Sequence, residues 1–271
     1  MIWIGTSGYS FADWKGEFYP KSLKQKDFLR YYSRFFSVVE IDSTYYRIPH
    51  PKMFLALMKK VPREFKFTVK TPSTFTHERE KFEETLVPYK KSIDPLFRKG
   101  MLACILAQFP YSFKYSTENL DYVSEVTISL EAPSCVEFRH ISWQNEKVVN
   151  HLRDRGIGFV NVDLPKLPGL PRPSSTTTSD EIAYVRFHGR VDAKTWWHPP
   201  EPHERYNYEY TIDELKEWVP GIMKLKGEAK DLYIMFNNHF QGRAVRSAKA
   251  MTKLLPKEDL ATIKVPQRTL F

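Results

Sequence analysis

Eight short apolar runs, each closing on a polar or charged cluster, set the rhythm of this 271-residue chain. Residues 2–5 close on Thr6 and Ser7, 38–41 on Asp42, 65–69 on Lys70, and 101–107 on Gln108. Residues 135–138 close on Arg139 and His140, 158–162 on Asp163, 182–187 on His188, and 231–236 on Asn237 and Asn238. Strands buried on both faces lose the polar alternation of a half-exposed strand, so runs like these separated by helical patterns read as parallel strands with crossover helices. Eight of them predict an α/β chain folded as a single (β/α)8 TIM-type barrel over residues 1–256, with its working face where the strands end.

The segments between the runs carry helical stripes. Thr211 and Glu214 form a capping box ahead of Leu215, Trp218, Val219 and Ile222, with Pro220 placed to kink or shorten that helix. Leu86, Tyr89, Ile93, Leu96 and Phe97 share one face before Gly100, and Val148, Val149 and Leu152 lead to Gly156. Segments 25–36, 51–60, 117–126 and 242–255 supply the others. After Asp163 the rhythm breaks in LPKLPGLPRPSSTTTSD, whose prolines remove helix donors, so the crossover after strand six is expected to lack a regular helix. The next connection, 189–210, is also long and carries Trp196, Trp197, Tyr206, Tyr208 and Tyr210. These two loops are expected to rim one side of the barrel mouth.

No stretch approaches about 18 consecutive apolar residues, and the opening MIWIGTSGYS lacks a basic leader with a long apolar core. The expectation is a cytoplasmic protein with no membrane partner. Cys104 and Cys135 fall in predicted neighbouring strands, which suits reduced core packing better than a disulfide framework. A formal charge of +9 favours a polyanion such as nucleic acid, or a phosphorylated small molecule. An ordinary lysine-rich surface is the plain alternative.

Strand parity gathers the chemistry. Glu137 and Arg139 point the same way, as do Arg186 and His188, while Lys70, Gln108, Asp163 and either Glu40 or Asp42 sit at equivalent strand ends. Ionised groups so deep must be paired, so a salt-bridge network that merely closes the barrel top is the competing explanation. Tyr9, Phe11, Trp14, Phe18, Tyr19, Tyr45, Tyr46 and four aromatics between Phe109 and Tyr115 surround the mouth. Aromatic faces beside cations suit stacking on nucleobases or sugar rings. Asn237, Asn238, Gly242 and Arg243 could form an anion site at a helix start, or the asparagines could simply cap that turn. His188, His140, Glu137 and Asp163 are suitable metal ligands in type but show no tight ligand spacing, so no metal and no cofactor is expected. Ser7 in GTSGYS does not match the GxSxG elbow, and neither cysteine has an evident histidine partner.

GTSGYSFADWKGEFYP, EIDSTYYRIP, FTVKTP, AQFPYSFKYS, VEFRHISW, YVRFHGR and FNNHFQGRA occur in that order. Together they resemble the YecE-like family, domain of unknown function 72, from about residue 2 to 255. The resemblance implies a TIM-type barrel and no established reaction. The family's polar motif positions correspond to Thr6, Ser7, Trp14, Tyr19, Glu40, Tyr45, Tyr46, Lys70, Gln108, Glu137, Arg139, His140, Trp143, Arg186, His188, Asn237 and Asn238. Two departures stand out. Tyr9 replaces the tryptophan of many relatives, and Asp42 stands where the family often shows asparagine, adding a negative charge to the mouth.

The last stretch, 257–271, is expected to be an exposed tail. In it Gln267, Leu270 and Phe271 fit the loose Gln-x-x-Leu-Phe pattern that resembles sliding-clamp-binding peptides, against the alternative of a tail docked on its own barrel. The leading expectation is a mouth that binds nucleic acid or nucleotide-like phosphate, with hydrolysis of phosphodiester or glycosidic bonds in DNA maintenance as its chemistry. Glu137 or Asp163 would act as base or acid, Arg139, Arg186 and Lys70 would steady negative charge, and His188 would shuttle a proton. The alternatives are an isomerase or glycosidase acting on a small sugar or sugar phosphate, and a non-catalytic clamp adaptor.

Overall fold

The computed structural model describes residues 1–262. Its eight strands are β1 (Ile2–Thr6), β2 (Val38–Ile41), β3 (Lys66–Lys70), β4 (Leu102–Gln108), β5 (Ser134–Glu137), β6 (Gly158–Asp163), β7 (Ile182–Phe187) and β8 (Asp231–Phe236). They pair in parallel in the order β1-β8-β7-β6-β5-β4-β3-β2. A bridge between Ser7 and Glu40 brings β1 to β2 and the sheet towards closure, with the Gly8 amide donating to the Glu40 carbonyl at 2.9 Å. Gly5 permits that approach: a Cβ there would lie 2.2 Å from the Val38 carbonyl oxygen. The barrel expected from the eight runs is present, each strand within a residue or two of its run.

Helices α1 (Phe28–Tyr32), α2 (Pro51–Met58), α3 (Ser73–Thr76), α4 (Phe82–Arg98), α5 (Thr117–Ser129), α6 (Glu146–Arg153), α7 (Ala193–Trp197), α8 (Ile212–Lys216), α9 (Val219–Glu228) and α10 (Arg243–Leu254) cover the sheet. Side-chain caps start several of them. Ser116 Oγ accepts from the Asn119 amide at 3.1 Å ahead of α5, and Asn145 Oδ1 from Val148 at 3.1 Å ahead of α6. The capping box on α8 forms as expected, with the Glu214 amide on Thr211 Oγ1 and the Thr211 amide on Glu214 Oε2. Pro220 ends up in the first turn of α9, where its missing N–H costs nothing, so the expected single helix is split in two.

Side chains of alternate parity divide the core. Val38, Cys104, Leu106, Cys135, Val160, Val162, Tyr184, Tyr233 and Met235 belong to one buried cluster inside the barrel, and both cysteines are free thiols. Outward residues such as Ile4, Val69, Ile105, Val185 and Ile234 join the helices in a second layer. As expected, 164–181 holds no helix. It runs back along β6, tied by the Ser174 hydroxyl and Thr176 amide to Asn161 Oδ1 (2.7 and 2.8 Å) and by Thr178 Oγ1 to the Phe159 amide (2.8 Å). These bonds substitute for a helix by satisfying the backbone locally.

The barrel's packing continues past residue 256. Leu260 bridges Ile2, and the Ala261 amide donates to the Ile2 carbonyl at 2.8 Å, so the chain at 260–261 runs beside β1. Gln267, Leu270 and Phe271 fall outside the described residues. No helix among the described residues is long and apolar enough to cross a membrane.

Candidate functional site

Inward parity at the carboxyl ends of the strands builds the site. Ser7, Glu40, Asp42, Lys70, Gln108, Glu137, Arg139, Arg186, His188 and Asn237 all fall on positions two or four residues beyond inward-facing core positions of their strands. Glu40 and Asp42 share one parity, so both face inward. The resulting cavity holds about 400 Å³.

At its floor Arg186 forks between two carboxylates, Nη2 on Glu40 Oε1 and Nη1 on Glu137 Oε2 at 2.6 Å, and Nη2 also reaches Ser7 Oγ at 3.2 Å. Tyr184 donates to Glu40 Oε2 at 2.7 Å, and Arg139 Nε pairs with Glu137 Oε1. Two carboxylates thus meet two guanidiniums, which is the condition for keeping four ionised groups in a place where an unpaired one would cost several kcal/mol. Burial opposes ionisation of Glu137, yet Arg139, Arg186 and His188 outweigh it and hold the carboxyl well below its ordinary range. It is an anion already paired, and a poor proton acceptor.

His188 is fully buried, and burial, with the positive charge of Arg139 beside it, pushes its pKa down to about 3. Its Nδ1 lies 3.1 Å from Asn237 Nδ2. With the amide as donor there, the proton sits on Nε2, 3.2 Å from Glu137 Oε1 but not aligned as a hydrogen bond. A neutral, enclosed imidazole with this pKa meets Asn237 by a hydrogen bond and is unsuited to shuttling protons near neutrality.

Two groups near the mouth differ from this closed network. The register pairs Ile41 with Val69, so Asp42 and Lys70 are the next pair along neighbouring strands. Burial, and then the charge of Glu40, raise the Asp42 pKa to about 7. Burial, and then Arg186, lower that of Lys70 to about 8. Lys70 donates to Gln108 Oε1 at 2.9 Å and sits 4.3 Å from the centre of the Tyr45 ring. Neither side chain forms an ion pair among the described residues. An acid and an amine that titrate near neutrality, open to one cavity, are suited to proton transfer.

The walls are aromatic. Tyr45, Tyr46, Tyr111, Trp196, Trp197 and Tyr206 line the cavity, joined by Leu170 from the proline-rich loop and by Arg205. Both loops therefore contribute to the rim as expected. Arg205 Nε donates to the Trp196 carbonyl at 2.9 Å, leaving the guanidinium 5.6 Å from the Trp196 ring. His77 and His239 also line the cavity, each with its pKa lowered to about 4 by burial, and so both are uncharged. Sequence reasoning missed His77, His239 and Arg205. All three come from connections whose course only the tertiary structure fixes, though the FTVKTPSTFTH run did place His77 shortly after a strand end.

Several expected site residues lie elsewhere. Asp163 takes outward parity, opposite Val162 and Leu164, and accepts hydrogen bonds from Arg190 Nη2 (2.6 Å), Tyr210 (2.7 Å) and Trp218 (2.6 Å). It anchors the loop 189–210 and is absent from the cavity wall. Thr6 is outward and bonded to Tyr32 at 3.0 Å. Trp14 and Tyr19 are buried anchors, donating to the carbonyls of His239 (2.7 Å) and Tyr9 (2.6 Å). His140 caps the short turn at Ser142, and Trp143 donates to the Phe113 carbonyl. Asn238 donates to Tyr208 and Ser247, and Arg243 faces Glu209 at 3.9 Å. Among the described residues, no side-chain bond caps the short turn at 240–242 or the start of α10. Among the described residues, no group of three or more His, Cys, Asp or Glu is arranged to hold a metal ion.

Residues 3–269 match the family described as "Protein of unknown function DUF72". The UPF0759 protein YunF of Bacillus subtilis (strain 168) is 31% identical across 95% of this chain and 96% of its own length. A solved DUF72 family protein from Thermotoga maritima MSB8 superposes with a TM-score of 0.86 at 41% identity, covering 94% of this chain and 98% of that one. One from Enterococcus faecalis V583 gives 0.87 at 25% identity over 100% of both chains. With matches that span almost its whole length, the chain belongs to the DUF72 family.

Proposed function

We propose that the barrel mouth binds a phosphorylated small molecule with a ring that can stack, of the size of a mononucleotide or sugar phosphate. The observation that carries this is the charge left over once the floor is balanced. Glu40 and Glu137 are matched by Arg139 and Arg186, whereas Lys70 and Arg205 face only Asp42. One positive charge is in excess with Asp42 ionised, and two with it protonated. A cavity of about 400 Å³ rimmed by two loops favours a compact ligand over the length of a nucleic acid strand. Aromatic walls then supply a stacking surface.

Arg139 offers its Nη atoms to the phosphate, and Lys70 and Gln108 stand beside it. Asp42 accepts or returns a proton and Lys70 steadies the negative charge that develops, in place of the roles assigned to Glu137, Asp163 and His188 from the sequence. Hydrolysis of a phosphodiester or glycosidic bond, and isomerisation of a sugar phosphate, both remain within that repertoire. The test is thermal stabilisation by AMP, ribose 5-phosphate and glycerol 3-phosphate, beside anisotropy of fluorescent single-stranded DNA across a salt series. Stabilisation by the small phosphates that is lost in Arg139→Ala supports the reading. Tight, salt-sensitive strand binding with no response to small phosphates would return the mouth to nucleic acid. A separate proposal from the sequence is that Gln267, Leu270 and Phe271 bind a sliding clamp, which replacing Leu270 and Phe271 by alanine would abolish without changing ligand binding at the mouth.

A further inference from the structure

We infer that Lys70 is an imine-forming lysine, so that the ligand of the mouth is a phosphorylated aldehyde or ketone whose carbonyl carbon bonds to Nζ. This rests on the phosphorylated-ligand reading above and narrows it. Four observations carry it. First, Lys70 has a neutral amide, Gln108 Oε1, as its hydrogen-bond acceptor and no carboxylate in ion-pair contact among the described residues, while Arg139 and Arg186 are held by Glu137 and Glu40. Second, burial, and then the Arg186 guanidinium, favour the free amine that a nucleophile must be, and they outweigh the opposing charge of Asp42. Third, Lys70 ends a strand and lies against the Tyr45 ring, so its amine is held on a rigid element beside an apolar face. Fourth, Asp42, on the neighbouring strand end, lines the same cavity with a carboxyl held by no other residue's side chain among the described residues, and supplies the proton relay.

The step balances without an oxidant or reductant. The neutral amine attacks the carbonyl carbon, the C=O π pair moves to oxygen, and a proton passes from nitrogen to that oxygen to give a carbinolamine. Protonated Asp42 gives its proton to the departing hydroxyl, which leaves as water, and the nitrogen lone pair closes the C=N bond as a positively charged iminium. Asp42, now a carboxylate, can take a proton from the carbon next to the iminium. The nearby Arg139 binds the phosphate of the same molecule.

The experiment uses the full chain with glyceraldehyde 3-phosphate or ribose 5-phosphate and sodium cyanoborohydride, read by intact mass and peptide mapping. Binding of glycerol 3-phosphate, which has no carbonyl, is measured in parallel. One adduct per chain is expected at Lys70, about ten-fold or more above any other lysine because its amine is the more deprotonated. It should be competed by glycerol 3-phosphate and lost in Lys70→Gln and Lys70→Arg, whose folding is checked by thermal melts. Equal labelling across surface lysines, or glycerol 3-phosphate binding with no adduct, overturns the imine and leaves the phosphate reading standing. Neither binding nor adduct overturns both.

Discussion

Arg186 and Arg139 look interchangeable in the sequence, and the structure separates them. Arg186 is 2% exposed and satisfies two buried carboxylates. Removing it in Arg186→Ala strands Glu40 and Glu137 and should cost about 3–5 kcal/mol, seen as a lower urea midpoint. Arg139 is 11% exposed and gives one nitrogen to Glu137. Arg139→Ala leaves Glu137 with Arg186 as its remaining guanidinium, so it should cost less stability than Arg186→Ala and weaken ligand binding about 10–100-fold, measured by calorimetric titration. Asp42 makes the third prediction. Its folded pKa of about 7 lies above the ordinary carboxylate value, so the native state holds the proton more tightly and stability falls as pH rises from about 4 to 7. Asp42→Asn should therefore raise the melting temperature at pH 8 and flatten the loss of anion binding between pH 6 and 8. An unchanged melting temperature and binding profile would remove Asp42 from the account.

Among the elements, the loop 189–210 depends on an aspartate that never meets the cavity. Asp163 gathers Arg190, Tyr210 and Trp218, and Arg190 reaches on to Glu217 at 2.9 Å. Asp163→Ala leaves the buried Tyr210 phenol and Trp218 indole without their acceptor and Arg190 with only Glu217 and Glu214, so a loss of about 3–5 kcal/mol and faster proteolysis within 189–210 are expected. The direction of this residue was legible and was missed: in Phe159-Val-Asn-Val-Asp-Leu164 the apolar positions alternate, placing Asp163 with Asn161 on the outer face. The strands themselves were legible because two-sided burial leaves unbroken apolar runs. The helix missing after β6 was legible because proline removes the donors a helix needs. By contrast, His77, His239 and Arg205 reach the cavity through irregular connections, which have no period to read. Likewise, Arg246 after β8 is held by Glu209 and Glu17 from distant segments, a pairing that no sequence period reveals.

For the molecule as a whole, the site sets the response to acid. Burial holds His188 near 3 and His77 and His239 near 4, all below the ordinary value of about 6.5. At these three histidines the unfolded chain binds protons that the native state refuses, so their contribution to stability is complete above about pH 6.5 and is lost as pH falls towards the folded values, opposed by Asp42 over the same range. Glu137, also depressed, adds to the loss below its ordinary range. Urea midpoints from pH 8 to 4 should drop most steeply below about 6.5, and less steeply in His188→Gln if the buried imidazole is the cause. The central claim is that the mouth takes a small phosphate, and a crystal structure of the protein soaked with ribose 5-phosphate tests it most directly. The account predicts density inside the barrel mouth, with phosphate oxygens on Arg139 and the sugar beside Lys70 and Asp42. A ligand-free mouth, or phosphate held only on surface lysines, would contradict it.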